Sequence, residues 1–205
     1  NHNHGKPTLG MPAHRAAARD LARKSMVLLQ NEGNILPLSK ALRSVAVIGP
    51  LADDRRSMLG SWAPTGVAGD AIMPLEGVKA ALGPRVKIFG AAGGDAALDA
   101  ARGADAVVLC IGEHWDESGE ARSRVALDLA PDQQAMADTI LALEKPVAVV
   151  IFAGRPLTIN TLAHRAPAIL WAWYPGVEAG HALADILFGD VNPSGRLPMS
   201  FPRAV

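Results

Sequence analysis

Asp105-Ala-Val-Val-Leu-Cys-Ile-Gly112 is apolar at six successive positions between an aspartate and a glycine. A strand with one wet face alternates apolar and polar residues, so an unbroken run of this length reads as a strand covered on both sides. Ser44–Gly49, Pro146–Phe152 and Ala168–Trp173 have the same character, and Arg85–Phe89 reads as a fifth, more exposed strand. Helical spacing fills the intervals. Strands alternating with helices four or five times predict an α/β protein, a three-layer α/β/α sandwich on a mostly parallel open sheet of about five or six strands.

The remaining elements follow from spacing and punctuation. Residues 1–12 are polar and aperiodic and form an extended lead-in, so the folded domain is expected over 13–205. Apolar positions from Ala17 to Leu29 alternate with Arg15, Arg19, Arg23 and Lys24, which predicts an amphipathic helix over 13–30 closed by Asn31-Glu-Gly-Asn34. Residues 51–73 read as a long irregular excursion with at most a short helix near Asp53 to Leu59. Further helices are expected over 74–82, 95–102, 131–143, 157–164 and 178–188. Arg196-Leu-Pro-Met-Ser-Phe201 is a candidate last edge strand, because its prolines exclude a central one.

Composition removes several classes of function. Lys+Arg and Asp+Glu both number 20, so the formal charge is zero and neither nucleic acid nor an anionic membrane surface is an expected partner. No run is apolar for the eighteen or so residues of a membrane span. The first residues lack the apolar segment of a signal peptide, so any targeting signal is expected elsewhere. The single cysteine, Cys110, lies inside a buried run and reads as a small core residue. His2 and His4 at the chain end read as solvated rather than as a metal tract.

Chemistry concentrates in the loop that leaves the central run. Glu113, Asp116, Glu117 and Glu120 fall within eight residues, with His114, Arg122 and Arg124 beside them. In open α/β sheets ligands bind beyond the carboxyl ends of the strands, where this loop begins. Grouped carboxylates suit cation binding, general acid or base work, or hydrogen bonding to sugar hydroxyls; a solvated acidic loop is the plain alternative. The EF-hand alternation is missing, and a set such as Glu113, His114 and Glu117 has no recognisable ligand spacing, so no metal is expected. Gly90-Ala-Ala-Gly-Gly94 opens a helix but fits neither phosphate-loop pattern, and no Gly-x-Ser-x-Gly elbow is present; no cofactor is expected. Trp62, in Gly60-Ser-Trp-Ala-Pro64, is either a ligand-stacking face or an anchor over the core.

Seven blocks together carry a resemblance. They are Arg23-Lys-Ser-Met-Val-Leu-Leu-Gln-Asn31, Val45-Ala-Val-Ile-Gly-Pro-Leu-Ala-Asp53, Gly60-Ser-Trp62, Ser118-Gly-Glu-Ala-Arg-Ser-Arg124, Gly154-Arg-Pro-Leu157, Trp173-Tyr-Pro-Gly-Val-Glu-Ala-Gly180 and the run from Leu187 to Arg203. In that order they resemble the C-terminal α/β-sandwich domain of glycoside hydrolase family 3, in its bacterial periplasmic β-glucosidase branch.

The resemblance implies a retaining, exo-acting β-glycosidase acting on a β-linked glucoside or oligosaccharide. A preceding (β/α)8 barrel would supply the aspartate nucleophile and most of the sugar pocket, and location would be periplasmic or secreted. The position matching the acid/base glutamate of this branch is Glu120, with Glu113 and Glu117 as fallbacks. Trp62 matches an aromatic wall beside the substrate, and His114 is grouped with it as a substrate contact. Glu113, Glu117 and Arg124 would shape the loop. Retaining chemistry needs two carboxyl groups about 5 to 5.5 Å apart, so splitting them between domains makes activity depend on docking. The isolated chain is expected to fold, to be inactive, and to hold loop 113–124 loosely without the barrel surface. A non-catalytic carbohydrate-binding or interaction module on the same fold is the rival.

Overall fold

A computed structural model describes residues 10–205. His2, His4 and most of the expected lead-in lie outside the described residues, and Pro12 already opens the first helix. The elements are α1 (Pro12–Ser25), β1 (Val27–Asn31), β2 (Ser44–Ile48), α2 (Arg55–Leu59), α3 (Pro74–Leu82), β3 (Lys87–Ala91), α4 (Gly94–Gly103), β4 (Ala106–Gly112), α5 (Pro131–Leu141), β5 (Val147–Phe152), α6 (Asn160–Ala163), β6 (Ala168–Trp171) and α7 (Ala179–Leu187).

Six strands form one sheet in the order β1-β6-β5-β4-β2-β3. All neighbours are parallel except β1, which runs antiparallel to β6. Every residue of β2, β4, β5 and β6 is buried, as unbroken apolar runs require. Alternate residues point to opposite faces. On one face Val45, Val108, Cys110 and Val150 pack against Ala22 of α1, Met58 of α2, Val78 of α3 and Leu183 of α7. On the other Ile48, Leu109, Ile111 and Val149 meet Ala97 of α4, Ala137 and Ile140 of α5 and Leu162 of α6. The three-layer α/β/α sandwich is therefore present, and burial raises the Cys110 thiol above its ordinary range as a core sulfur.

Two expectations are corrected. The helix over 13–30 stops at Ser25, whose hydroxyl turns back to donate to the Ala22 carbonyl, and Met26 is extended. Val27–Asn31 then pairs with β6, Val27 opposite Trp171 and Asn31 opposite Ala168. Met26, Leu28 and Leu29 satisfy helical spacing, but a free sheet edge beside β6 offers their backbone a ladder. The second concerns residues 196–201, which form no strand: Pro198 interrupts the run and they pair with neither edge strand, β1 or β3. Instead the Gly195 amide donates to the Met26 carbonyl, and Phe201 sets its ring against Trp171 and Trp173, with centroids 4.6 and 6.0 Å apart.

The chain leaves β2 toward β3 on one side and leaves β4 toward β5 on the other. The topological switch point thus lies between β2 and β4, where their outgoing loops part and leave a crevice. Gly112 ends β4 with φ 135°, and a Cβ there would fall 1.9 Å from the Phe152 carbonyl oxygen, so only glycine lets the loop start here.

Helices α3 and α7, on the same face of the sheet, approach closely through glycine. A Cβ on Gly77 would stand 2.0 Å from the Gly180 carbonyl oxygen. Gly77→Ala should therefore push the helices apart and lower stability by about 1–3 kcal/mol in urea unfolding. Gly69→Ala, whose nearest neighbour would be Val67 at 4.0 Å, should stay within about 0.5 kcal/mol.

Candidate active site

The loops that part at the switch point are laced together. Asp54 caps α2, accepting from the Ser57 amide at 3.1 Å and from the Ser57 hydroxyl. The same hydroxyl oxygen accepts the Trp115 amide at 3.1 Å. His114 Nδ1 lies 3.0 Å from Asp54 Oδ2. An ionised carboxylate only accepts, so Nδ1 carries the proton of that contact. Burial would raise the Asp54 carboxyl, but the Ser57 hydroxyl and amide and then His114 outweigh it and hold the group below the usual carboxylate range. Further along, the Ser61 hydroxyl lies 2.5 and 2.6 Å from the carbonyl oxygens of Trp115 and Ser118.

Glu113 is the buried charge of the site. Arg155 grips it through Nε at 3.1 Å and Nη2 at 2.9 Å, Ser118 donates a hydroxyl at 3.0 Å, and Arg124 stands 3.5 Å away. Tyr174, whose phenol burial and then the charges of Glu113 and Glu117 raise, donates toward the Glu113 and His114 carbonyls. Glu117 pairs with Arg124 and accepts the His114 amide at 3.0 Å. Loop carboxylates expected to lack partners therefore find them within the chain. Looseness does not follow for residues 113–118, because arginines from two segments neutralise the charges. Glu113, His114 and Glu117, conceivable as metal ligands on paper, turn instead to Arg155, Asp54 and Arg124.

Residues 119–122 behave differently. The Arg122 amide donates to the Gly119 carbonyl at 3.2 Å, closing a turn in which Ala121 has φ 58°. Glu120 sits on that turn, exposed, with no hydrogen bond or ion pair to a described residue. Trp62 is 71% exposed. It follows Ser61, and Glu120 follows Gly119, whose Cβ position would lie 3.0 Å from Ser61 Cβ, so the two free side chains issue from one contact. A groove of about 480 Å3 between α4 and α5, walled by Leu98, Met136 and Ile140, shares no residue with loop 113–124.

The family model described as "Glycosyl hydrolase family 3 C-terminal domain" matches residues 26–205. The chain belongs to this family. Among its relatives are the periplasmic beta-glucosidase of Salmonella typhimurium, 39% identical over 94% of this chain and 29% of its own length, and a beta-xylosidase of Formosa agariphila, 41% identical over 96% and 29%. Among solved structures, a beta-glucosidase from Listeria innocua in complex with isofagomine superposes with a TM-score of 0.91 at 34% identity, covering 99% of this chain and 29% of that one. The chain thus spans 29% of the length of each of these three proteins.

Sequence reading singled out the loop carboxylates but gave no role to Asp54, Arg56, Ser57, Ser61, Trp115, Arg155 or Tyr174. The Asp54-x-x-Ser57 spacing is a helix-cap pattern, and Arg155 and Tyr174 lie in blocks that carried the resemblance. Nothing local tells that their partner is loop 113–118.

Because the Asp54 carboxyl is depressed in the folded state, its stabilisation is fully present above the ordinary value of 3.8 and fades as pH falls through the lower folded value. Asp54→Ala should cost about 1 kcal/mol at pH 7, the usual worth of a helix cap. The gap between the two proteins in urea midpoints should be constant above roughly pH 5 and shrink below pH 4.

Proposed function

We propose that this domain supplies the acid/base glutamate, Glu120, and an aromatic wall, Trp62, to a retaining exo-acting β-glycosidase. A further N-terminal (β/α)8 barrel of the same longer protein would carry the aspartate nucleophile. Substrates would be β-linked glucosides or oligosaccharides, and the longer protein would be periplasmic or secreted, as the name of the Salmonella relative suggests. The observation that carries the reading is Glu120 itself. Its neighbours Glu113 and Glu117 are both held by arginine, whereas Glu120, on a tight turn at the switch-point crevice beside an exposed tryptophan, has no partner among the described residues. An acid must reach its substrate. A carboxylate locked in two-point contact with a guanidinium is committed elsewhere.

In the first step the nucleophile would attack the anomeric carbon while Glu120 gives its proton to the departing oxygen. In the second Glu120 would take a proton from water as that water displaces the enzyme carboxylate. Trp62 offers a flat apolar face to the C–H side of a pyranose ring. His114, with its side chain 42% exposed and Nδ1 tied to Asp54, would present its remaining nitrogen to a sugar hydroxyl. Without the barrel there is no nucleophile, so the 205-residue chain alone should release no nitrophenol from aryl β-glucosides.

The deciding experiment uses the longer protein. Glu120→Gln should slow alkyl glucosides far more than dinitrophenyl glucosides, with a gap of about 10²–10⁴, since a good leaving group departs without the proton. Azide, which needs no deprotonation, should restore turnover of the activated substrate and yield a β-glycosyl azide. Equal loss on both substrates with no azide product would make Glu120 a binding residue and favour a sugar-binding module; the same gap in Glu117→Gln instead would move the acid there.

A further inference from the structure

Trp115 has no role in the chemistry above, yet its side chain is where the two loops meet. The Arg56 guanidinium lies 4.5 Å from its ring centroid and that of Arg122 lies 5.2 Å away. Both are within the distance at which a cation is attracted to an indole face. The two arginines lead to the two free side chains of the site. Arg56, on α2, also donates to the Ala63 carbonyl at 3.2 Å, one residue beyond Trp62. Arg122 donates its amide to Gly119 to close the turn that carries Glu120, and its guanidinium to the Asp116 carbonyl. The backbone of Trp115 is fixed as well, its amide on Ser57 and its carbonyl on Ser61.

We infer that Trp115 is a positioning residue: clasped by Arg56 and Arg122, it sets the place of the Glu120 turn relative to the Trp62 loop. The inference rests on the reading of Glu120 as the acid. It adds that the spacing between acid and aromatic wall is built into this domain and is not imposed by whatever the domain docks against. Exposed loops otherwise hold such spacing poorly. A displacement of an acid by about 1 Å can cost on the order of 10²-fold in rate, so a ring that pins the turn from below has a kinetic consequence without touching substrate.

The test compares Trp115→Ala, Trp115→Phe, Arg122→Gln and Glu120→Gln in the longer protein, on alkyl and dinitrophenyl β-glucosides. Trp115→Ala should lower kcat on alkyl glucosides by on the order of 10²-fold. It should change kcat/KM on dinitrophenyl glucosides by less than about tenfold, because the proton matters little to that departure, while kcat and KM there fall together as the glycosyl-enzyme, whose hydrolysis needs the same carboxyl as base, accumulates. Trp115→Phe, which keeps an aromatic face, should recover most of the loss. Arg122→Gln, at a half-exposed side chain, removes one clasp without opening the interior and should reproduce the leaving-group dependence in weaker form if Trp115→Ala does not fold. Trp115→Ala or Arg122→Gln that lowers kcat/KM equally on both substrates, or that only raises KM, overturns the inference. If Glu120→Gln shows the leaving-group gap and neither of these variants does, the acid stands and the positioning role falls. If Glu120→Gln shows no gap, the acid assignment falls, and the positioning role falls with it.

Discussion

A carboxylate removed from water must find countercharge and hydrogen-bond donors, and Glu113, at 2% exposure, does so from three sides. Arg155 arrives from the turn after β5, Arg124 from the far end of the loop and Ser118 from its middle. The residue is the first after β4, and its amide is held by the Phe152 carbonyl. Its charge therefore decides where the loop may go. Segments with no reason to approach one another are drawn to one buried point, and the cost of leaving that charge unpaired excludes other paths. The remaining contacts of the crevice, Asp54 with His114 and Ser61 with two loop carbonyls, presuppose that path.

One consequence is a division within a single loop. Residues 113–118 are stitched to α2, to Ser61 and to Arg155, whereas 119–122 form a tight turn that ends in open solvent with Glu120 upon it. Rigid support beneath a free functional group is what a catalytic carboxyl needs, since precise placement comes from the scaffold and reach from exposure. The layer that holds α2 also shows how ion pairs serve structure alone. Arg15 and Arg19 of α1 reach Glu178 and Asp185 beside and on α7, clasping the first helix to the last at 2.5 and 2.7 Å. Those carboxylates, 5% exposed and fully paired, are not available for chemistry.

Much of the fold was legible because the decisive signal was local. Four unbroken apolar runs could only be strands covered on both faces, and all four are. The errors came where one local pattern fits two partners. Met26, Leu28 and Leu29 have the spacing of a helix face and also of a short strand, and the choice was made by the open edge of β6 some 140 residues away. Residues 196–201, interrupted by Pro198, joined neither sheet edge, and Phe201 became a lid on Trp171 rather than part of the sheet. The site divides in the same way. Glu113, Glu117 and Glu120 were visible together in the sequence because they share one loop, but their differing circumstances were not.

The sequence by itself determined the layers, the composition of the core and the loop in which chemistry collects, since burial on two faces and helical punctuation are written in neighbouring residues. It also carried family membership, in blocks that run from α1 to the chain's last residues. Tertiary structure alone decided which carboxylates are spent and which is free. Arg155 lies 42 residues from Glu113, Asp54 lies 60 from His114, and Ser61 lies 57 from Ser118. Only the parallel pairings that set β2 and β5 on either side of β4 bring them within hydrogen-bonding distance. A charge's role depends on the partner it meets, and for Glu113 and His114 that partner comes from the loop of a neighbouring strand.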